Sequence, residues 1–284
     1  MLVNLKELCE IAEKRNIAVG GFNALDIHTI KAVIRAAEKR NAPISLMFAQ
    51  LHEKFTRVED VAPLMLTYAR EASVPVCVQL DHGEDLDYVR KALALGFTAV
   101  MFDGSDKPYE ENAEMTAKVV KMARECGCSV EGELGSLDKR EYGDGASVRD
   151  DTKTYTDPVL AKQFVDETGI DALACSFGTT HGFYLQKPKL NLDIVRQIRA
   201  LSGNVPIVMH GGSGVSEEDL RRSIDAGVRK INYFTYMDKA GAAAVRDRLA
   251  DWGEGEPLLT KLLVSAEQAM EENVSEAMRV FLKE

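Results

Sequence analysis

The stretch AVMFDGSDKPYEENAEMTAKVVKMARECGCSVEGEL, Ala99–Leu134, holds the repeating unit of the chain. It opens on one short apolar run, Ala99–Phe102, and closes on another, Ser129–Leu134. Between them, Ala117-Lys-Val-Val-Lys-Met-Ala123 sets apolar and charged residues at helical spacing. Strand, helix, strand in this order is a βαβ unit, whose two strands run parallel because the helix carries the chain back to the starting edge.

The unit recurs. Further apolar runs stand at Ala18–Phe22, Ile44–Phe48, Val76–Leu80, Ala172–Phe177, Ile207–Met209 and Lys230–Phe234, each followed by a segment of helical spacing such as the one from Thr29 to Glu38. The runs seldom alternate apolar with polar, which suits strands covered on both faces of a parallel sheet. Eight such runs with eight helices predict an α/β fold, a (β/α)8 TIM barrel, over an open doubly wound sheet. The length of 284 residues suits one barrel of about 250 residues with additions. No Pro/Ser/Gly-rich linker or charge block divides the chain, so residues 1–284 are expected to form a single barrel domain. An extra C-terminal helix is expected within about 257–284, an appendage of the kind that often packs on a partner subunit. Met1–Asn16 reads as one amphipathic helix.

Composition narrows the function. A hydrophobic share of 45% and a charged share of 28% describe a soluble globular protein. No apolar run approaches the roughly 18–20 residues of a membrane span. The first residues lack the apolar centre and cleavage site of a secretory signal, so a cytoplasmic location is expected. A net charge of −10 lacks the footprint of a nucleic-acid binder. Any phosphate must therefore be gripped locally. The five cysteines are odd in number, which argues against a disulfide framework. Cys126-Gly-Cys128 has no companion pair and reads as a helix-to-strand turn rather than a metal site.

In a barrel of this kind the chemistry sits at the C-terminal ends of the strands. Asn23 ends the first run, Asp81-His82 the third, Asp103 the fourth and His210 the seventh; Glu131 and Glu133 lie in the fifth. The sixth leads through Gly178-Thr-Thr to His181-Gly182, and the eighth carries Asn232 and Thr235. Of five histidines, His82, His181 and His210 fall at this one rim, and three imidazoles fit a zinc site with one position left open. Asp81 and His82 are neighbours, so in a regular strand their side chains point to opposite sides. Asp81 is thus expected off the metal, as a proton carrier near the substrate or as a group orienting a histidine. Asp103 and Glu133 fit either a second cation, divalent or monovalent, or carboxylate partners of the ligands. His28 falls inside the first helix. His52 follows the second strand and reads as a surface-loop residue, with reading an unusual acceptor aldehyde as the alternative.

The turn after His210, Gly211-Gly-Ser-Gly214, brings bare backbone amides to an anion, and the helix that follows adds a favourable dipole. Barrels often hold phosphate in the loops after the last two strands. A metal beside such a nest suits a small phosphorylated substrate and enediolate formation, with the cation polarising a carbonyl while a carboxylate moves the proton. The long polar connection after Gly135 is expected to cover the site.

The set Val78–Gly83, Val100–Ser105, Val130–Gly135, Gly178–Gly182, His210–Gly214 and Lys230–Thr235 resembles the class II, metal-dependent ketose-bisphosphate aldolases, among them fructose- and tagatose-bisphosphate aldolases. The resemblance runs in order from about Phe22 to Asp247. It implies zinc on His82, His181 and His210, Asp81 as the acid/base of carbon–carbon cleavage, and Asp103 and Glu133 at an alternative or second cation site. It implies a phosphate grip for dihydroxyacetone phosphate at Gly182, Gly211, Gly212, Ser213, Asn232, Tyr233, Phe234 and Thr235, with Asn23 beside the substrate. Glu141 matches a loop glutamate that handles the proton of the enediolate carbon, although its flanks, Asp138–Arg140 and Tyr142–Asp144, depart from the family. A small phosphorylated sugar is the implied partner, and a homo-oligomer, dimer or tetramer, the implied assembly.

Two departures bear on substrate choice. Ala49 stands where the family places a Ser or Thr, and Gly255-Glu-Pro-Leu-Leu259 replaces an Asp-Pro-Arg-like segment. Both weaken recognition of a distal phosphate. Two alternatives follow: an aldolase of the same family for an acceptor aldehyde lacking that phosphate, or a non-catalytic companion subunit. A metal-dependent hydrolase would need His-x-His after the first strand, where Phe22-Asn-Ala24 stands.

Overall fold

The computed structural model describes residues 1–135, 155–180, 182, 184, 186–253 and 255–284. Eight parallel strands close into a barrel: β2 (Val19–Asn23), β3 (Ile44–Ala49), β4 (Val76–Gly83), β5 (Ala99–Phe102), β6 (Ser129–Leu134), β7 (Ala172–Cys175), β8 (Ile207–Met209) and β9 (Val228–Asn232). The order around the barrel is β4-β3-β2-β9-β8-β7-β6-β5, and the β4–β5 pairing shuts it. The fold is the expected TIM barrel with a C-terminal helix.

The first residues depart from expectation. Leu2–Val3 form a short strand, β1, beside the start of β4, in register Leu2↔Val76 and Val3↔Cys77. The helix begins only at Leu5 (α1, Leu5–Arg15), because Asn4 caps it: its side chain accepts from the Glu7 amide while the Glu7 carboxylate accepts from the Asn4 amide. Leu5, Leu8, Cys9 and Ala12 are buried on the face of α1 that meets the barrel strands. The helix thereby covers apolar side chains at the barrel end away from the predicted site.

Outer helices α2 (Ile27–Arg40), α3 (Val58–Glu71), α4 (Leu86–Leu95), α5 (Tyr109–Glu125), α6 (Pro158–Thr168), α7 (Leu192–Leu201), α8 (Glu217–Ala226) and α9 (Thr235–Ala250) follow β2 to β9 in turn. Cys126 caps α5, and the buried Cys128 thiol just before the next strand donates to the Phe97 carbonyl at 3.0 Å. The last helix, α10 (Leu259–Phe281), packs against α2, α8 and α9 of its own chain. Buried Glu267 ties it to α2, 2.7 Å from His28 Nδ1 and 2.5 Å from Arg35 Nη1.

Candidate active site

The end of β4 sets the geometry. Leu80 pairs with Val100, but Gly83 pairs with Phe102, so the register shifts at Asp81-His82. His82 takes a left-handed backbone, φ 46°, which a non-glycine residue adopts only where its surroundings hold it there. The expected alternation therefore fails. Ligand atoms of Asp81, His82 and His210 all lie within 4.8 Å of one another, and so do those of His82, Asp103 and Glu133. All five side chains are buried.

Nε2 of His82 faces Nδ1 of His210 at 2.9 Å. The outer nitrogen of each ring meets a carboxylate: His82 Nδ1 lies 2.8 Å from Asp103, and His210 Nε2 lies 2.8 Å from Glu131. With each outer N–H donated to its carboxylate, the inner nitrogens present lone pairs to each other, and a proton or a cation must lie between them. Burial opposes the charged form of His82, but the charges and hydrogen bonds of Asp81, Asp103 and Glu133 outweigh it and raise its pKa to about 10. Burial keeps His210 below its ordinary value despite Glu131. His82 therefore carries the shared proton, and His210 accepts it.

Glu131 is the hub beneath. Its other oxygen accepts from Lys230 at 2.9 Å and from Gln79 at 2.8 Å, and Ser45 donates to Gln79 at 2.8 Å. Ser45, Gln79, Glu131 and Lys230 have no exposure at all. Burial alone would raise the Glu131 pKa, yet Lys230 and His210 hold it below the ordinary carboxylate range. Lys230 also donates to Asn232 Oδ1 at 2.8 Å. The Asn232 amide nitrogen lies 3.2 Å from Asp81 Oδ1, and Asn23 donates to Asp81 Oδ2 at 2.9 Å. Two carboxamides thus hold Asp81, while Asn23 Oδ1 is buried with no partner among the described residues.

One cleft gathers Asn23, Asp81, Gly182, Gly211, Ser213, Asn232, Tyr233, Phe234 and Thr235. Gly211 is required there: its φ is 67°, and an added Cβ would meet the Thr180 carbonyl oxygen at 2.1 Å. The Tyr184 hydroxyl donates to the Gly211 carbonyl at 2.8 Å and accepts from the Thr180 amide at 3.1 Å, tying two rim loops together. Ser213 Oγ accepts from the Phe234 amide at 3.2 Å. Ser216 caps α8, whose first turn carries Glu217, Glu218 and Asp219, whereas α9 starts at the cleft with no side-chain cap. A helix start without a side-chain cap leaves backbone amides that an anion can bond.

The fructose-bisphosphate aldolase class-II family model matches residues 3–284. The chain belongs to the class II fructose-bisphosphate aldolase family. The aldolase is 37% identical over 276 residues to the sulfofructosephosphate aldolase of Alkalicoccus urumqiensis, covering 97% of this chain and 95% of that one. It is 36% identical over 286 residues to the fructose-bisphosphate aldolase of Staphylococcus epidermidis, covering 99% and 97%. The crystal structure of the YdjI aldolase from Escherichia coli K12 superposes with a TM-score of 0.87 at 30% identity, over 99% of this chain and 97% of that one. The family is one of carbon–carbon lyases.

Within the aldolase, the expected groups divide cleanly. His82, His210, Asp103 and Glu133 come together at the barrel rim, and Asp81 with the eight other lining residues forms the cleft beside them. Gly212 sits in the same turn, its backbone amide bonded to the Asn232 carbonyl at 3.0 Å. His181 and Glu141 lie outside the described residues. Reading the sequence missed Gln79, Tyr184 and Lys230. Gln79 and Lys230 stand inside the quoted motifs, and a Lys in one apolar run with a Glu in another was the available signal. His52 is corrected: it is 1% exposed and lies in a 3-10 turn, Gln50–Lys54, so it is no surface-loop residue.

Proposed function

We propose that this aldolase depends on zinc and reversibly cleaves a phosphorylated ketose, such as fructose 1,6-bisphosphate or tagatose 1,6-bisphosphate, to dihydroxyacetone phosphate and an aldehyde. The observation that carries the reading is the pair of inward-facing imidazole nitrogens 2.9 Å apart, set beside the cleft that holds Asp81. Two ligand nitrogens on one tetrahedral zinc stand about 3.3 Å apart, so a small parting of the rings fits the ion. Each ring is already oriented by a carboxylate, the arrangement usual around zinc. His82 and His210, with His181 as the third ligand, would hold the ion; Asp103 and Glu133 would serve a second cation. When bound, zinc supplies Lewis acidity toward the substrate's carbonyl and hydroxyl oxygens.

The chain's own groups do the rest. Asp81, fixed by Asn23 and Asn232, takes the hydroxyl proton as the carbon–carbon bond breaks and returns it in condensation. Gly182, Gly211, Ser213 and the start of α9 at Thr235 grip the phosphate of the donor half, beside Tyr233 and Phe234, while Gly212, whose amide is taken by the Asn232 carbonyl, shapes the turn. Glu141 handles the proton of the enediolate carbon. The same proposal places the enzyme in the cytoplasm, where its five unbridged cysteines stay reduced, as a homodimer or homotetramer. The test is cleavage of both ketose bisphosphates with detection of dihydroxyacetone phosphate, before and after chelation and after added zinc. Chelation is expected to stop the reaction and zinc to restore it; turnover undiminished by thorough chelation refutes the metal assignment.

A further inference from the structure

His52 has no evident task in the fold. It is 1% exposed, and neither ring nitrogen has a hydrogen-bond partner among the described residues. Its neighbours are aromatic: the Phe234 ring centroid lies 5.0 Å away, Phe48 6.2 Å and Phe55 6.5 Å. Two buried polar atoms without partners are costly, and a Phe or Leu would fill the same space without that cost. Nor does the imidazole hold its turn in place. Gln50 does that from one side, donating to Asp85 at 2.8 Å and accepting from the Glu84 amide at 2.8 Å. Glu53 does it from the other, accepting from the Val58 amide at 3.1 Å and the Tyr88 hydroxyl at 2.5 Å.

The position of the ring points to substrate. Ala49, three residues earlier, sits opposite Asp81 in the β3–β4 register and offers no hydroxyl. Phe234 lies against the imidazole and also lines the Asp81 cleft. The donor-phosphate grip gathers around Gly211 and the start of α9, so the β3 side of Asp81 falls to the other half of the substrate.

We propose that His52 reads the acceptor half of the substrate, hydrogen-bonding a hydroxyl of the aldehyde fragment that reaches the ring past Phe234. The proposal rests on the aldolase reading above. At this ring the chemistry selects a hydroxyl rather than a phosphate oxygen. Burial holds the imidazole near pKa 4, so at neutral pH it is uncharged and offers one N–H and one lone pair, which a hydroxyl matches. A phosphate dianion beside Asp81 would demand positive charge that this ring does not carry.

The test compares wild type, His52→Phe and His52→Gln in the zinc-loaded enzyme, by three readouts. The first is proton exchange of dihydroxyacetone phosphate alone. The second is kcat/KM for its condensation with glyceraldehyde, which carries hydroxyls, and with propionaldehyde, which carries none. The third is the melting temperature. His52→Phe is expected to lose roughly tenfold on glyceraldehyde, the worth of one hydrogen bond, with propionaldehyde and donor exchange essentially unchanged. His52→Gln is expected to recover part of the loss, and His52→Phe to melt no lower than wild type. Equal slowing of both aldehydes, or no change in either, overturns the proposal and leaves a buried water or a packing role. Absence of donor exchange in wild type instead removes the aldolase reading, and this proposal with it, so the two failures are told apart.

Discussion

His82 Nε2 and His210 Nδ1 face each other at 2.9 Å, while Asp103 and Glu131 hold the far side of each ring. In the metal-free chain one proton bridges them, because the surrounding carboxylates raise His82 to about pKa 10 and burial keeps His210 low. A divalent cation at this place displaces that proton. Zinc loading near neutral pH is therefore expected to release a proton, and affinity to fall as pH falls. Calorimetry in buffers of different ionisation enthalpy measures the release. Binding with no linked proton would contradict the shared-proton geometry.

Asp81 lies close enough to His82 and His210 to ligate the same ion, and is also the cleft carboxylate held by Asn23 and Asn232. As a proton carrier it should be separable from the metal. Asp81→Asn is expected to lower kcat by roughly 10²–10⁴-fold with zinc content unchanged. Zinc lost in step with activity would make Asp81 a ligand instead.

Glu131 and Lys230 form a buried ion pair at 2.9 Å. Glu131→Gln leaves the ammonium uncompensated and is expected to destabilise the fold by about 3–5 kcal/mol. Adding Lys230→Met should recover much of that. The native pKa of Glu131 lies below its ordinary 4.5, so its contribution is present above pH 4.5 and is lost as pH falls below it. Chemical denaturation of the single and double variants is the measurement; equal stability of Glu131→Gln and wild type would remove the pair from its role.

His52 gives a stability signature of its own. Burial lowers its pKa from 6.5 to about 4, so between those values the unfolded chain binds a proton that the native chain refuses. Wild type should lose up to roughly 3 kcal/mol relative to His52→Phe between pH 6.5 and 4, with little difference above pH 7. Parallel stability curves for the two proteins across that range would show that the ring is not buried and bare in solution.

The barrel was legible because its evidence is repeated. Ala99–Leu134 and its counterparts alternate apolar runs with helical spacing, and each strand end then projects its polar residues to one rim. Gly211 was legible for a local reason, a glycine turn directly after a strand histidine. Four features were not, and three of them depend on contacts across the sheet or barrel. The register shift that turns His82 to φ 46° arises from the β4–β5 pairing. The chain from Ser45 through Gln79 and Glu131 to Lys230 joins β3, β4, β6 and β9, and strand alternation says nothing about which inward residues meet. His52 is covered in part by Phe234, 182 positions away in the chain. β1 is only two residues long and has no periodicity to read.

On the proposed reading, this chain holds every group that the donor half of the reaction needs. Deuterium exchange from solvent into dihydroxyacetone phosphate, followed by NMR with no aldehyde present, tests it most directly. The zinc-loaded enzyme is expected to exchange one carbon-bound proton, and chelator to stop it. A zinc-loaded enzyme that leaves dihydroxyacetone phosphate unlabelled would contradict the account.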